Sequence, residues 1–325
     1  MLVNIVSHIP ASVWERELPP GLAWDFFHTS EAGPADIHVI YGIRTPLRIP
    51  NSPQNVIFIA SEPPEIRVYD SAVLSRYGAV LGPGFEYLLP MPHFHAIAAV
   101  APWWVGLKAG GEEHYEAVDG SATLSRAVLA EGFSPGRDVV TAIVSQKART
   151  PLQQQRLRLV DFLSTRLNDF EAYGLAAERV GDKADVLGSS RYHLAVENSA
   201  HPGYWTEKLS DPILMDNVVF YGGHASYADY FSDESILPVD PWDPESTYES
   251  IAKALERDTW AQAADARAIN RCRLLEQYSF HRVLAAYLSQ HPHEAAKSGM
   301  FAVPAQHPTS RVKKFFDPIY RRIFG

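Results

Sequence analysis

Residues 192–208 read YHLAVENSAHPGYWTEK, and residues 218–223 read VVFYGG. Both stretches begin with an apolar run, which is typical of strands that are buried in a parallel sheet. Between the two runs, Pro202-Gly203 indicates a loop and Thr206-Glu207 favours a helix start. The pattern therefore predicts a strand, a loop, a helix and a second strand, which together form one parallel βαβ unit of an α/β fold.

The residues around the predicted helix start are suited to binding an anion. Backbone N–H groups at a helix start lack partners within the helix and carry partial positive charge, so they can bind a phosphate. Lys208 would add a full positive charge, and Glu197 and Asn198 could bond to the hydroxyls of a ribose or another sugar. In the alternative interpretation, Thr206 is a plain N-cap and Glu207 an acid that complements the helix dipole. The spacing alone leaves both interpretations open.

The order of these residues resembles the signature of a known enzyme family. Glu197-Asn198-Ser199 is followed, after four residues, by Tyr204-x-Thr206-Glu207-Lys208, which is similar to the motif of the α-1,3-fucosyltransferases of glycosyltransferase family 10. The resemblance covers roughly residues 140–245. It implies a GT-B-like fold, with two Rossmann-like domains facing a central cleft and C-terminal helices that return to the N-terminal domain. It also implies an inverting enzyme that transfers fucose from GDP-fucose to a hydroxyl of a glycan acceptor.

The resemblance assigns roles to individual residues. Arg156 lies on a predicted helix over residues 151–167, seven residues before Leu163, where the family has an arginine that contacts the donor diphosphate. Without the resemblance, Arg156 would be interpreted as one of several exposed helix arginines. A guanidinium group suits two phosphate oxygens. The residues expected to bind the nucleotide sugar are Arg156, Glu197, Asn198, Tyr204, Thr206, Glu207 and Lys208.

A candidate general base lies in the N-terminal part. Apolar runs predict four strands of a first parallel sheet at residues 2–6, 36–41, 55–60 and 79–81. The loop Ser61-Glu62-Pro63-Pro64-Glu65 directly follows the third run, and ligands of open α/β sheets bind beyond the carboxyl ends of the strands. The resemblance implies that an acid in this loop takes a proton from the acceptor. We expect Glu62 to be this base, with Glu65 as the alternative and a solvated loop acid as the simpler interpretation.

The chain divides into three predicted parts. Residues 1–134 are expected to form the acceptor-side domain, residues 135–300 the nucleotide-sugar domain, and residues 301–325 a basic and aromatic tail. Turn-forming residues at 132–138 mark the predicted hinge. The segment Arg311–Arg322 holds five basic residues against one acid. Such a segment suits contact with an anionic membrane surface, and packing of its aromatic residues on the protein body is the alternative.

Composition and motif content exclude other classes. The net charge of −9 over 325 residues argues against nucleic acid as a partner. A single cysteine, Cys272, permits no intrachain disulfide. No Asp-x-Asp motif is present, so we expect no metal requirement and no cofactor beyond the donor substrate. The chain shows no signal peptide and no apolar stretch of about 20 residues, which predicts a bacterial-type soluble enzyme in the cytoplasm, peripheral to the inner membrane if the tail binds it.

Two other functions agree with the same residues. One is a GT-B glycosyltransferase that uses a different nucleotide sugar. The other is an inactive nucleotide-sugar-binding or carbohydrate-binding protein on the same scaffold. The joint presence of Arg156, Glu207 and Lys208 favours an active enzyme over the inactive scaffold.

Overall fold

The computed structural model of the chain describes residues 1–42, 46–63, 65–84, 89, 91–98, 101–109, 115–117, 124–174, 180–291 and 299–303. Its strands are β1 (Leu2–Ser7), β2 (Asp25–Thr29), β3 (Ile37–Tyr41), β4 (Leu47–Ile49), β5 (Val56–Ile59), β6 (Ala79–Gly82), β7 (Phe94–Ala96), β8 (Leu107–Ala109), β9 (Tyr115–Ala117), β10 (Arg137–Ile143), β11 (Phe170–Tyr173), β12 (Ser190–Val196), β13 (Val218–Gly222), β14 (Ile236–Pro238) and β15 (Phe301–Val303). Its α-helices are α1 (Ala11–Glu15), α2 (Ser71–Leu74), α3 (Arg126–Glu131), α4 (Pro151–Arg166), α5 (Lys183–Leu187), α6 (Glu207–Leu214), α7 (Pro244–Glu256), α8 (Thr259–Gln262), α9 (Ala264–Glu276) and α10 (Phe280–Gln290).

Six strands form a parallel sheet in the spatial order β2-β1-β3-β5-β6-β7. Four of them, β1, β3, β5 and β6, lie where the apolar runs predict strands. The two edge strands were not predicted. Of the five residues of β2 only one is buried, and β7 is only three residues long, so neither needs a continuous apolar run. We call this sheet and the helices packed on it the N-lobe.

A second parallel sheet has five strands in the order β11-β10-β12-β13-β14. Its central strand, β12, is connected to β13 through α6, which confirms the predicted βαβ unit. Pro212 lies inside α6, where it has no N–H to donate to the Lys208 carbonyl, and the helix ends at Leu214. We call this sheet and helices α4 to α9 the C-lobe.

The C-terminal helices connect the lobes. The backbone leaves the helical conformation after α9, at Gln277, and Ser279 is extended before α10 begins. The break lets α9 stay on the C-lobe, while Phe280 and Leu284 of α10 pack in the N-lobe core around Trp14. The expected return of the C-terminal helices to the N-terminal domain is therefore confirmed.

The carboxyl ends of the two sheets face each other across a cleft. Strand β5 leads into the loop that carries Glu62, and β12 leads directly into Glu197. The two edges meet where the loop after β12 touches the N-lobe, through a hydrogen bond from His201 to Glu65. This arrangement brings residues of both lobes to one site.

The predicted tail begins with a short strand. Residues 301–303 form β15, which pairs antiparallel with β4. Arg311–Arg322, and with it the predicted membrane contact, lies outside the described residues. No helix within the described ranges is both long and apolar enough to cross a membrane.

Candidate functional site

The start of α6 is built around a buried carboxylate. Glu197, fully buried at the end of β12, accepts hydrogen bonds from the backbone N–H of Thr206 at 2.9 Å and from its hydroxyl at 2.8 Å. The Thr206 hydroxyl in turn accepts the backbone N–H of Lys208 at 3.3 Å. Thr206 is therefore the N-cap of α6, and its side chain occupies a position that an anion could otherwise take at the helix start. Burial raises the pKa of Glu197, and the nearby Lys208 partly opposes this shift.

Alternating charges line the first turn of α6. The Lys208 ammonium lies 3.1 Å from Glu207 and 3.6 Å from Glu197. On the other side of Glu207, the Lys183 ammonium lies 3.9 Å from Glu207 and 2.8 Å from Asp211. Burial acts to lower the pKa of Lys208, but the carboxylates of Glu207 and Glu197 outweigh it and raise that pKa. Both lysines are therefore cations at neutral pH, and their side chains are about one-fifth exposed.

Glu207 is held as an anion by these lysines. Burial alone would raise the pKa of Glu207, but Lys208 and Lys183 lower it to about 2. Its side chain remains one-fifth exposed. A carboxylate fixed between two cations can orient them, and it can also accept hydrogen bonds from hydroxyl groups of a ligand.

Arg156 reaches the same region from α4. Its side chain is buried, and its guanidinium donates weakly, at 3.3 Å to the Asn198 side-chain oxygen and at 3.5 Å to the Ser145 carbonyl. The Nε–H of Arg156 is buried without a hydrogen-bond partner, and among the described residues no carboxylate lies within 4.0 Å of the guanidinium. Burial lowers the pKa of Arg156, but a guanidinium stays charged at neutral pH. The site thus holds a cation that no nearby anion neutralises directly.

Glu62 approaches this cluster from the N-lobe. Its carboxylate makes no hydrogen bond or ion pair with any residue that the structure describes, although its backbone is fixed by the Tyr69 hydroxyl at 3.2 and 2.9 Å. Burial raises the pKa of Glu62, while Lys208 acts in the opposite direction across the cleft. A carboxylate of raised pKa that faces a cleft is a suitable general base.

The alternative base, Glu65, is hydrogen bonded to His201. Both of its carboxylate oxygens accept from Nε2 of His201, at 2.8 and 3.0 Å, and both side chains are only 7% exposed. Glu65 is therefore less available for proton transfer than Glu62.

Tyr204 lies between the apolar core of the N-lobe and the charged site: burial raises the pKa of its hydroxyl, and the carboxylates of Glu197, Glu62 and Glu207 raise it further. Its ring is buried in the apolar cluster of the N-lobe around Phe58 and Phe94, although Tyr204 follows a strand of the C-lobe. This placement joins the two lobes. The expected contact of Tyr204 with the donor stays a prediction.

The structure therefore separates the predicted residues into those at the cleft and those that lie beneath it. It brings Lys208, Glu207, Arg156 and Glu62 together at the cleft, with Asn198 hydrogen bonded to the arginine. Glu197 and Thr206 lie beneath them and form the support of α6 rather than an open surface. Sugar contacts by Glu197 and Asn198 and phosphate binding by Thr206 are predictions that the structure leaves without direct support.

Some residues of the site were missed by sequence reasoning. Lys183 starts α5, and a lone lysine there gives no sequence signal. The hydroxyl of Tyr41 lies near Glu62, whose charge helps to raise the Tyr41 pKa after the larger effect of burial. No group of three or more His, Cys, Asp or Glu side chains suited to a metal ion occurs within the described part of the chain.

Comparison with known proteins finds a family match for the C-lobe sequence. Residues 135–264 match the model of the family described as glycosyltransferase family 10 (fucosyltransferase), C-terminal part. No curated protein sequence matches the chain significantly. Among solved structures, an α1,3-fucosyltransferase with GDP is 14% identical, with 89% of each chain covered and a TM-score of 0.51. A second structure of an α1,3-fucosyltransferase is 13% identical, with the same coverage and a TM-score of 0.50. These likenesses confirm the predicted GT-B-like fold.

Proposed function

We propose that this glycosyltransferase, whose residues 135–264 match the model of glycosyltransferase family 10, transfers fucose from GDP-fucose to a hydroxyl of a glycan acceptor with inversion at the anomeric carbon. The observation that carries the proposal is the placement of Lys208 and Arg156 at the carboxyl edge of the C-lobe, opposite Glu62 of the N-lobe. Two cations facing one carboxylate suit a reaction in which an anion leaves and a proton is removed.

The cations would stabilise the leaving group. As the bond between the anomeric carbon and the β-phosphate oxygen breaks, negative charge grows on the diphosphate, and positive groups fixed beforehand stabilise it. Lys208 keeps its proton because its pKa is raised. Arg156 has an unpaired Nε–H and only weak neutral partners, so it can turn its donors to phosphate oxygens without breaking an ion pair.

Glu62 would act on the acceptor. In the proposed step, the acceptor oxygen bonds to the anomeric carbon from the face opposite the diphosphate, its proton passes to Glu62, and GDP leaves. A raised pKa makes Glu62 a stronger base than an exposed glutamate. The remaining residues would support these three: Glu197 and Thr206 fix the start of α6, and Glu207 holds Lys208 at 3.1 Å.

Transfer assays with several donors test the proposal. The purified chain would be incubated with GDP-fucose, GDP-mannose and UDP-glucose, each with a panel of glycan acceptors, and released nucleotide and glycosylated product would be quantified. We expect turnover with GDP-fucose and much slower release of nucleotide without an acceptor. Preferential turnover of UDP-glucose would contradict the assignment of the donor, and no turnover or hydrolysis of any donor would contradict the assignment as an active enzyme.

A further inference from the structure

We propose that His201 and Glu65 form a latch between the lobes that sets the position of Glu62 relative to the donor. Both are then positioning residues of the transfer reaction, and neither touches the reacting atoms. The inference rests on the proposed function, because it assumes that Glu62 and Lys208 act on the same reaction from opposite lobes.

The latch is a short and buried polar contact. Nε2 of His201 donates to both oxygens of Glu65, at 2.8 and 3.0 Å, and each side chain is 7% exposed. Loss of either partner leaves the other buried without this hydrogen bond, which is costly for a carboxylate. The contact therefore strongly favours one relative placement of the two loops.

The Glu65 end of the latch is joined to Glu62 through one hydrogen-bonded loop. The two acids are three residues apart, and the backbone N–H groups of Ile66 and Arg67 both donate to the carbonyl of Pro63, at 2.8 and 3.0 Å. The hydroxyl of Tyr69 bonds to both the N–H and the carbonyl of Glu62. A displacement of Glu65 would consequently be passed on to Glu62.

The His201 end is joined to the donor side. The carbonyl of His201 accepts the N–H of Tyr204 at 3.0 Å, and Gly203 donates its N–H to the Ser226 hydroxyl of the C-lobe at 2.7 Å. This loop leads within a few residues to the cap Thr206 and to Lys208. The latch thus connects the loop of the base to the loop that precedes the cationic residues.

A backbone contact beside the latch shows how closely the lobes approach. Gly84 of the N-lobe lies against Pro202, so closely that a Cβ atom on Gly84 would be 2.2 Å from the Pro202 carbonyl oxygen. Any side chain at residue 84 would force the lobes apart there. Unlike an apolar contact, the neighbouring His201–Glu65 pair can be hydrated when the lobes separate, so it can fix one closed geometry and still permit opening.

Kinetics of His201→Ala, Glu65→Ala and the double variant test the latch. We expect each single variant to lower kcat for transfer about tenfold or more, the loss expected for one hydrogen bond to a charged group. The affinity for GDP should change less than about threefold, because the cations lie on the C-lobe. The double variant should be no slower than the slower single variant, because both changes break the same contact.

Matched variants separate a positioning role from a general loss of structure. The pair Arg137 and Glu171 is also joined at 2.7 Å, but it is exposed and lies within the C-lobe at the other end of its sheet, so Arg137→Ala and Glu171→Ala should leave kcat unchanged. His201→Gln keeps an N–H donor and should recover part of kcat. Gly84→Ala leaves the latch residues intact, separates the lobes sterically, and should lower kcat while GDP still binds.

Several results would overturn the latch. One is unchanged kcat in both single variants, and another is losses of kcat that multiply in the double variant. A third is a parallel fall of kcat, GDP affinity and melting temperature, because a purely structural pair would give that result. If His201→Ala does not fold, unchanged kcat in both His201→Gln and Gly84→Ala would refute it equally. Failure of the proposed function is distinguished by the wild-type chain, which would then show no fucose transfer before any variant is compared.

Discussion

Replacement of Glu62 by glutamine should abolish most of the transfer activity and leave the binding of GDP intact. Glutamine has the same shape as glutamate, and the Glu62 carboxylate has no hydrogen bond or ion pair to another described residue that the change would break. The backbone bonds of residue 62 to the Tyr69 hydroxyl are kept. The variant therefore removes a proton acceptor and one negative charge, and little else.

The expected magnitude follows from these two losses. General base catalysis contributes roughly 10²–10⁴-fold, so kcat should fall by about that factor, which corresponds to about 3–5 kcal/mol of transition-state stabilisation. The lost charge also repels the donor diphosphate; at an effective dielectric constant of about 20, charges roughly 10 Å apart interact by about 1.7 kcal/mol. GDP should accordingly bind the variant at least as tightly as the wild type, with a gain of up to roughly twentyfold.

Steady-state transfer kinetics and calorimetry with GDP would measure both quantities. Glu131→Gln, which changes an exposed helix acid, serves as the control and should behave as wild type. The pH profile gives an independent test: wild-type kcat/KM should fall as pH drops through the raised pKa of Glu62, and this limb should vanish in Glu62→Gln. Unchanged kcat in the variant would show that Glu62 is not the base.

Two further predictions concern stability. Thr206→Val should lower the free energy of unfolding by about 1–3 kcal/mol, because the buried Glu197 loses the hydrogen bond from the Thr206 hydroxyl and α6 loses its N-cap. Chemical denaturation would measure this against the exposed control Thr165→Val, and equal stability would contradict the role of the cap. Acid should also weaken the contribution of two buried histidines, since burial lowers the pKa of His28 to about 4 and of His281 to about 3. Unfolded histidines titrate near pH 6.5, so this contribution is complete above that pH and should fall by up to roughly 1.4 kcal/mol per pH unit for each histidine below it. Because burial raises the pKa of Glu17 to about 8, Glu17 acts in the opposite direction, so urea unfolding at pH 7.5 and 5.5 should compare the wild type with the double variant His28→Gln and His281→Gln; the same pH dependence in both would argue against two neutral buried rings.

Much of the fold could be read from the sequence because its inner strands are continuous apolar runs. Strands β1, β3, β5, β6, β12 and β13 all belong to this class, and the turn residues before Thr206 mark the start of α6. The edge strand β2 and the break after Gln277 gave no such signal, because they depend on what packs against them rather than on local periodicity.

The site was predictable only where its residues fall in one short motif. Glu207 and Lys208 lie next to each other in the signature, and Arg156 was found through its spacing on α4. Lys183 is 28 residues from Asp211, and Glu65 is 136 residues from His201, so these pairs exist only in the folded chain. The sequence likewise did not reveal that Glu197 would be fully buried beneath the helix start.

A calorimetric titration with GDP tests the central claim most directly, namely that Lys208 and Arg156 hold the diphosphate of a guanine nucleotide. We predict that the wild-type chain binds GDP at least about tenfold more tightly than UDP, and that Lys208→Met and Arg156→Met each weaken GDP binding about tenfold or more. Absence of GDP binding by the wild type, or equal affinity in both variants, would contradict the account.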